Sequence, residues 1–252
     1  MNRALILLCL IATFVPVLSQ AQAPRKDVYA NPGNLKVLPK DTDSKTLSDT
    51  MKGFAVGLGV RCETCHVGEA GQPLDTFDFE SDDKEMKRKA RIMMKMVRDI
   101  NRKQVPKLDR VEKASRVEVR CVTCHRGLQK PMLIQDVLDD ELAGNGIDAT
   151  LEKYAALREK YYGSHSYDFS EFTLPMYAQG LAKPGNMDAA IALAKVNTEN
   201  LPESYYSHFV LAELYRAAKQ KEPAIEYYQK AIKLEPKAAA FLQSRIDALN
   251  SE

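Results

Sequence analysis

RCETCHVG (residues 61–68) and RCVTCHRG (residues 120–127) share the pattern R-C-x-T-C-H. Together they hold Cys62, Cys65, Cys121 and Cys124, leaving only Cys9 elsewhere, and two of the four histidines, His66 and His125. A C-x-x-C pair followed at once by histidine admits three chemistries: a redox dithiol, half of a zinc site, or covalent attachment of a haem. A zinc ion shared by the four thiols leaves both adjacent imidazoles without a role. A dithiol of the thioredoxin kind belongs at a helix start in a βαβ pattern, and no such pattern flanks either motif. A disulfide within C-x-x-C closes a loop too small to staple a fold. Haem attachment uses every residue: two thiols one short turn apart each bond a vinyl group of the porphyrin edge, and the next imidazole lies beneath the iron. The sequence therefore implies two covalently bound c-type haems, held by Cys62 and Cys65 and by Cys121 and Cys124, with His66 and His125 as iron ligands.

The first 21 residues have the layout of a secretory signal peptide: Arg3, an apolar run from Ala4 to Leu18, then small residues. Cleavage after Ala21 fits Ser19 and Ala21; cleavage after Ala23 is the alternative, disfavoured by Pro24 beside the cut. Cys9 leaves with this segment. The run is short for a membrane span and lacks a charged stop, so the mature chain is expected to have no transmembrane segment and to be exported, to the periplasm or the cell exterior. Lys and Arg number 36 against 34 Asp and Glu, and no basic patch is interleaved with aromatics. That balance gives no reason to expect nucleic acid as a partner.

Each iron needs a sixth ligand or stands open for chemistry. Residues 44–58, SKTLSDTMKGFAVGL, read as a helix with Ser44 as its N-cap and Leu47, Met51, Phe54, Ala55 and Leu58 on one face. Gly57 and Gly59 then break it, and the chain turns back so that Met51 faces the haem held by His66. A second helix, from about Asp82 to Asn101, starts acidic and ends basic as its macrodipole favours. Its apolar stripe is Met86, Ala90, Met93, Val97 and Ile100, with Met94 off the face. Going back from Cys121, no methionine occurs before Met96. The residues before that motif, with Val117 and Val119 alternating with charges, read as a short strand.

Residues 34–128 resemble the cytochrome subunit of photosynthetic reaction centres, in particular one two-haem half of that four-haem protein. The resemblance rests on NLKVLP (34–39), M-x-x-F followed by LGVRCETCH (51–66), R-x-M-x-x-M-V-R-D-I-N (91–101) and CVTCHRG (121–127). In that family a methionine on the helix before most haem motifs is the sixth ligand, usually the first of an M-x-x-M pair. The resemblance thus implies Met51 for the first iron, although Phe54 stands where the second methionine would be. It implies Met93 for the second iron, with Met96 as the i+3 alternative. One haem of the family instead takes a distant histidine.

Beyond a connector containing Pro131 no cysteine occurs. Ile147, Leu151, Tyr154, Leu157 and Tyr161 mark an amphipathic helix, and residues 171–204 then superpose on 205–238 with a 34-residue period. Ala178 matches Ala212, Ala190 matches Ala224, and Pro202 matches Pro236. This half resembles a tetratricopeptide array of two repeats with flanking helices. The expected fold is mainly α: a signal peptide (1–21), a small multihaem cytochrome domain (24–133) and a tetratricopeptide-like helical hairpin array (137–250). His208 takes a repeat position suited to a bulky aromatic, and His165 falls in a loop, GSHSYDF.

The function this implies is electron transfer between a redox-protein donor and acceptor, with no catalytic residue, the helical half serving docking or self-assembly. Lys84, Lys87, Arg88 and Lys89 offer contacts for a redox partner, a solvated helix face being the plainer account of them. A dihaem peroxidase with one open iron, or a polymerising haem scaffold, is the alternative.

Overall fold

The structure, a computed structural model, describes residues 26–108, 117–183 and 185–251; the segment read as a signal peptide and Cys9 lie outside them. The chain is mainly α, and among the described residues β pairing is limited to one isolated bridge between Val67 and Asp78.

Helix α1 spans Ser44–Leu58. Its N-cap is Asp43 rather than Ser44: the Asp43 carboxylate accepts the N–H of Thr46 at 2.9 Å, a stronger acceptor for an orphan donor than a hydroxyl. Gly59 ends the helix at φ 64°, and Gly57 proves to be a buried helical residue and no breaker. Helix α2 spans Glu85–Asp99 and runs through a π-turn at Ile100–Gln104 into α3, Val105–Leu108. Pro106 has no N–H to offer the carbonyl of Arg102, which explains why the ladder widens there. Helix α4 is the single turn Cys121–His125, formed by the second motif itself.

Among the described residues before α4, 117–120, the expected strand does not form. Val119 is paired instead by the side chain of Asn101, which accepts its N–H (2.8 Å) and donates to its carbonyl (2.7 Å). One amide thereby satisfies both backbone groups that a neighbouring strand would have taken.

Helix α5, Ile134–Tyr161, begins inside the expected connector and consists of two pieces joined at Gly146, whose φ of 82° breaks the helical path. Two helical hairpins follow, α6 (Thr173–Leu181) with α7 (Met187–Asn200), and α8 (Tyr205–Ala217) with α9 (Lys221–Leu234); α10 (Ala239–Ser251) closes the stack. The 34-residue period survives in space. Ala178, Ala212, Ala190 and Ala224 are all fully buried, and Pro202 and Pro236 each stand just beyond a helix end. Small residues at those points let the paired helices approach, while Leu174, Leu193, Leu211 and Tyr228 fill the space between them. Ile134 and Leu138 of α5 join the same core, so α5 packs with the helical half.

Candidate functional site

The first motif folds as a 3-10 turn over Cys62–Thr64, closed by the N–H groups of Cys65 and His66, both of which donate to the Cys62 carbonyl. The second forms α4, and there the Thr123 hydroxyl accepts the N–H of Arg120 at 2.9 Å, capping the turn. Both geometries place two thiols one turn apart with an imidazole at the next position. No disulfide joins either pair. Burial pushes the thiols of Cys65 and Cys121 above the ordinary cysteine range, which disfavours the thiolate a zinc ion or exchange reaction needs. Among the described residues no three His, Cys, Asp or Glu side chains converge as a metal site, and the two C-x-x-C pairs stand apart.

A cavity of about 380 Å³ opens beside the first motif. Cys62, Cys65 and His66 line it on one side. Met51, Phe54 and Leu58 of α1 line another, so the helix stripe seen in the sequence does face this motif. From α2 come Lys87, Ala90, Arg91 and Met94. Met94, expected off the face, is thus on the cavity side. Met93 lies about 100° round the helix from it and does not line the cavity.

His66 sits with its ring edge-on to Phe79 (centroids 4.9 Å apart), and its Nδ1 is buried without a hydrogen-bond partner. Burial first, then the charges of Lys87 and Arg91, hold its pKa at about 4, so the imidazole is neutral at physiological pH with a lone pair free. A half-buried imidazole with an unpaired nitrogen, two adjacent thiols and a thioether around one largely apolar cavity are a donor set that fits a covalently attached iron porphyrin.

His125 is buried, and its Nδ1 lies 2.8 Å from the Leu128 carbonyl, which fixes the tautomer and leaves Nε2 as the free nitrogen. Cys124 is exposed. Neither described cavity unites this motif with a methionine, and Met96 is largely exposed. The structure thus places Met51 and His66 on one cavity, whereas Met93 and Met96 line neither described cavity. The resemblance implies Met93 from its place in an M-x-x-M pair, and side-chain direction round α2 bears on which site such a methionine can reach.

Three further residues were misread or missed. Lys87, expected on a solvated face, is 8% exposed and donates to the carbonyls of Phe79 (2.8 Å) and Ser81 (2.6 Å). Arg91 donates to Asp82 (2.6 Å) and to the Asn34 carbonyl (3.0 Å), fastening the strap of residues 26–38 over the cavity. The signal was there: Lys87, Ala90, Arg91 and Met94 are spaced i, i+3, i+4, i+7. Ser166 donates to the Arg126 carbonyl at 2.7 Å, latching the GSHSYDF loop onto the second motif. In that loop His165 is exposed, as expected, and at φ 62°. His208 is buried and packs, its Nε2 2.8 Å from the Pro202 carbonyl and its ring stacked on Tyr227.

A mainly helical chain carrying two such C-x-x-C-H turns is, by class, a c-type cytochrome. More particularly, the chain belongs to the photosynthetic reaction centre cytochrome C subunit family, whose model matches residues 8–174. The match runs past the second motif, through α5 and the loop latched by Ser166, to the start of α6, farther than the motifs alone extend. Covalently bound c-type haem follows from that membership, and it points to electron transfer rather than catalysis. No curated protein and no solved structure matches the chain.

Proposed function

We propose that this protein is an exported dihaem electron carrier, with one haem on Cys62, Cys65 and His66 and a second on Cys121, Cys124 and His125. When bound, each haem supplies a one-electron iron couple; the chain's own residues orient it, exclude water and set its potential. Met51 serves as sixth ligand of the first iron, because it lines the same cavity as His66. The observation that carries the two-haem reading is the contact between the motifs. The C-terminal end of α1, the helix that walls the first site, packs directly on α4, and the Gly127 N–H donates to the Gly57 carbonyl at 3.0 Å. Two haems attached on either side of that junction lie close enough to exchange electrons without a partner bringing them together.

The helical half, with its 34-residue period, reads as tetratricopeptide-like and serves docking of a redox partner or assembly of copies. The apolar leader before Pro24 supports export to the periplasm or exterior. A boundary near residue 133 divides the two halves at the start of α5.

The test is haem content and an optical spectrum of the purified holoprotein. Two haems per chain, with a methionine-sulfur charge-transfer band, is the expected result; one haem per chain overturns it. A second reading, an enzyme with an open iron, is separated from it by the same spectrum. A high-spin signal from half the haem, with carbon monoxide bound there, would establish it.

A further inference from the structure

We propose that copies of this chain associate head to tail, the basic outer face of α2 on one copy seating on the acidic first half of α5 on the next. The inference rests on the assembly reading of the helical half, to which it gives a partner, a second copy of this chain. It is independent of the haem count.

The chain is nearly neutral as a whole, with a formal net charge of +2, yet its charges are segregated. Residues 88–107 hold eight Lys and Arg against Asp99 alone, whereas residues 133–152 hold six carboxylates and no Lys or Arg. Such a chain attracts its own copies, because the positive region of one meets the negative region of another. Within α2 the charges divide by face. Arg91 turns inward to the first cavity, while Arg88, Lys95, Arg98 and Arg102 are exposed. Among the described residues Lys95, Arg98 and Arg102 meet no carboxylate, and Asp99 is taken by Lys103 at 3.3 Å. Asp82 precedes the N-terminal end of the helix and is already engaged by Lys36 and Arg91. Among the exposed cations stands Ile92, 67% exposed and turned away from the cavity, about 160° round the helix from Met94.

The first half of α5 is the counterpart. Asp136, Asp139, Asp140, Asp148 and Glu152 are exposed, and none of them forms an ion pair with another described residue. Leu133, at the head of the helix, is 66% exposed. Each face thus presents an exposed aliphatic side chain beside charge that its own chain leaves uncompensated, and the two faces are of opposite sign. Apolar contact within a polar rim, with complementary charge setting the register, is how protein surfaces recognise one another.

The two faces are different surfaces, so the contact is heterologous, and every copy keeps one face free for a further neighbour. It also has a direction. The outer face of α2 backs onto the wall of the first cavity. Helix α5 starts at Ile134, shortly after Leu128, and a chain of that length spans at most about 20 Å. Seating one face on the other therefore points the first site of one copy toward the second motif of the next.

The test is sedimentation velocity of the full-length holoprotein over a range of concentrations, with haem per chain measured on each sample. It is run in about 20 mM and about 500 mM salt, between which the screening length falls from roughly 20 Å to roughly 4 Å. A mass beyond two chains at low salt, rising with concentration and returning to one chain at high salt, is expected. Lys95→Gln/Arg98→Gln and Asp140→Asn/Asp148→Asn remove charges that hold nothing among the described residues, so both variants keep the fold. Each should raise the dissociation constant by roughly tenfold. Mixed, the two variants should form a pair and nothing larger, because one keeps its acidic face and the other its basic face. A monomer at both salts overturns the inference, and so does a parent that stops at two chains. A monomer that binds phosphatidylglycerol vesicles through Lys95 and Arg98 overturns it in favour of a membrane surface. Association unchanged by both double variants keeps the assembly reading and overturns this contact. Two haems per chain in any of these outcomes leaves the carrier reading standing.

Discussion

Gly57 and Val122 meet backbone to backbone across the two motifs. A Cβ built on Gly57 would lie 3.2 Å from the Val122 nitrogen, and two residues on, a Cβ at Gly59 would lie 2.0 Å from the Gly127 carbonyl oxygen. The end of α1 can approach α4 this closely only because both positions lack side chains. The same contact sets the distance between the two attachment sites.

Gly59→Ala should therefore be costly. It forces alanine to φ 64° and drives a methyl group into a backbone oxygen that cannot rotate away. Strain and overpacking together should cost about 3 kcal/mol, read as a lower midpoint in urea unfolding. Gly53→Ala is the control: nothing lies within 4 Å of its Cβ, and it sits mid-helix. It should gain stability, by about 0.5–1 kcal/mol.

Met51→Leu keeps the volume of the cavity wall and removes the sulfur, so its cost to stability should stay below about 1.5 kcal/mol. The charge-transfer band of the first haem should vanish and its potential fall. The same substitution at Met93, Met94 and Met96 identifies the second ligand. A band lost on Met93→Leu or Met96→Leu assigns that residue to His125; all bands retained in all three variants leaves the second iron open. Loss of the first haem's band on Met94→Leu, with Met51→Leu silent, would reverse the assignment, since both sulfurs line that cavity.

The features legible in the sequence were the local ones. C-x-x-C-H fixes its own turn, the stripe from Leu47 to Leu58 fixes the face α1 presents, and the 34-residue offset between Ala178 and Ala212 fixes two hairpins. What escaped was decided at a distance. Asp43 outcompeted Ser44 as a cap because a carboxylate is the better acceptor, and Asn101 replaced a strand because one amide satisfied Val119. Lys87 looked like a solvated charge although its spacing with Ala90, Arg91 and Met94 put it on the inner face, because the carbonyls of Phe79 and Ser81 that receive it are placed by the fold. Met94, expected off the apolar face of α2, lines the first cavity because the facing of the helix is set by what packs against it.

In the helical half, Tyr228 is fully buried and its hydroxyl donates to Glu213, whose other oxygen takes Arg216 at 2.6 Å. Burial, then the carboxylate, holds the Tyr228 pKa far above the ordinary phenol range. Tyr228→Phe keeps the ring and leaves Glu213 one donor short. The loss should be about 1–2 kcal/mol in chemical unfolding. Glu213→Gln in the same background should recover part of it, because a neutral amide needs the donor less.

Asp82 joins the strap to α2, accepting from Lys36, from Asn34 at 2.9 Å and from Arg91 at 2.6 Å. The Lys36 hydrogen bond first, then those of Arg91 and Asn34, hold its carboxyl well below the usual carboxylate range. A depressed carboxylate pKa stabilises the fold in full above the unfolded value near 4 and is lost progressively as the pH falls below it. Closure of the strap over the first cavity should accordingly be constant from pH 8 to pH 5 and weaken below about pH 4. Asp82→Asn should show the weakened state at neutral pH: faster proteolysis within residues 26–40 and easier access of small ligands to the first haem, with the second haem unaffected. Equal protease resistance of Asp82→Asn and the parent at pH 7 would mean that apolar contacts of the strap, rather than this carboxylate, keep the cavity closed.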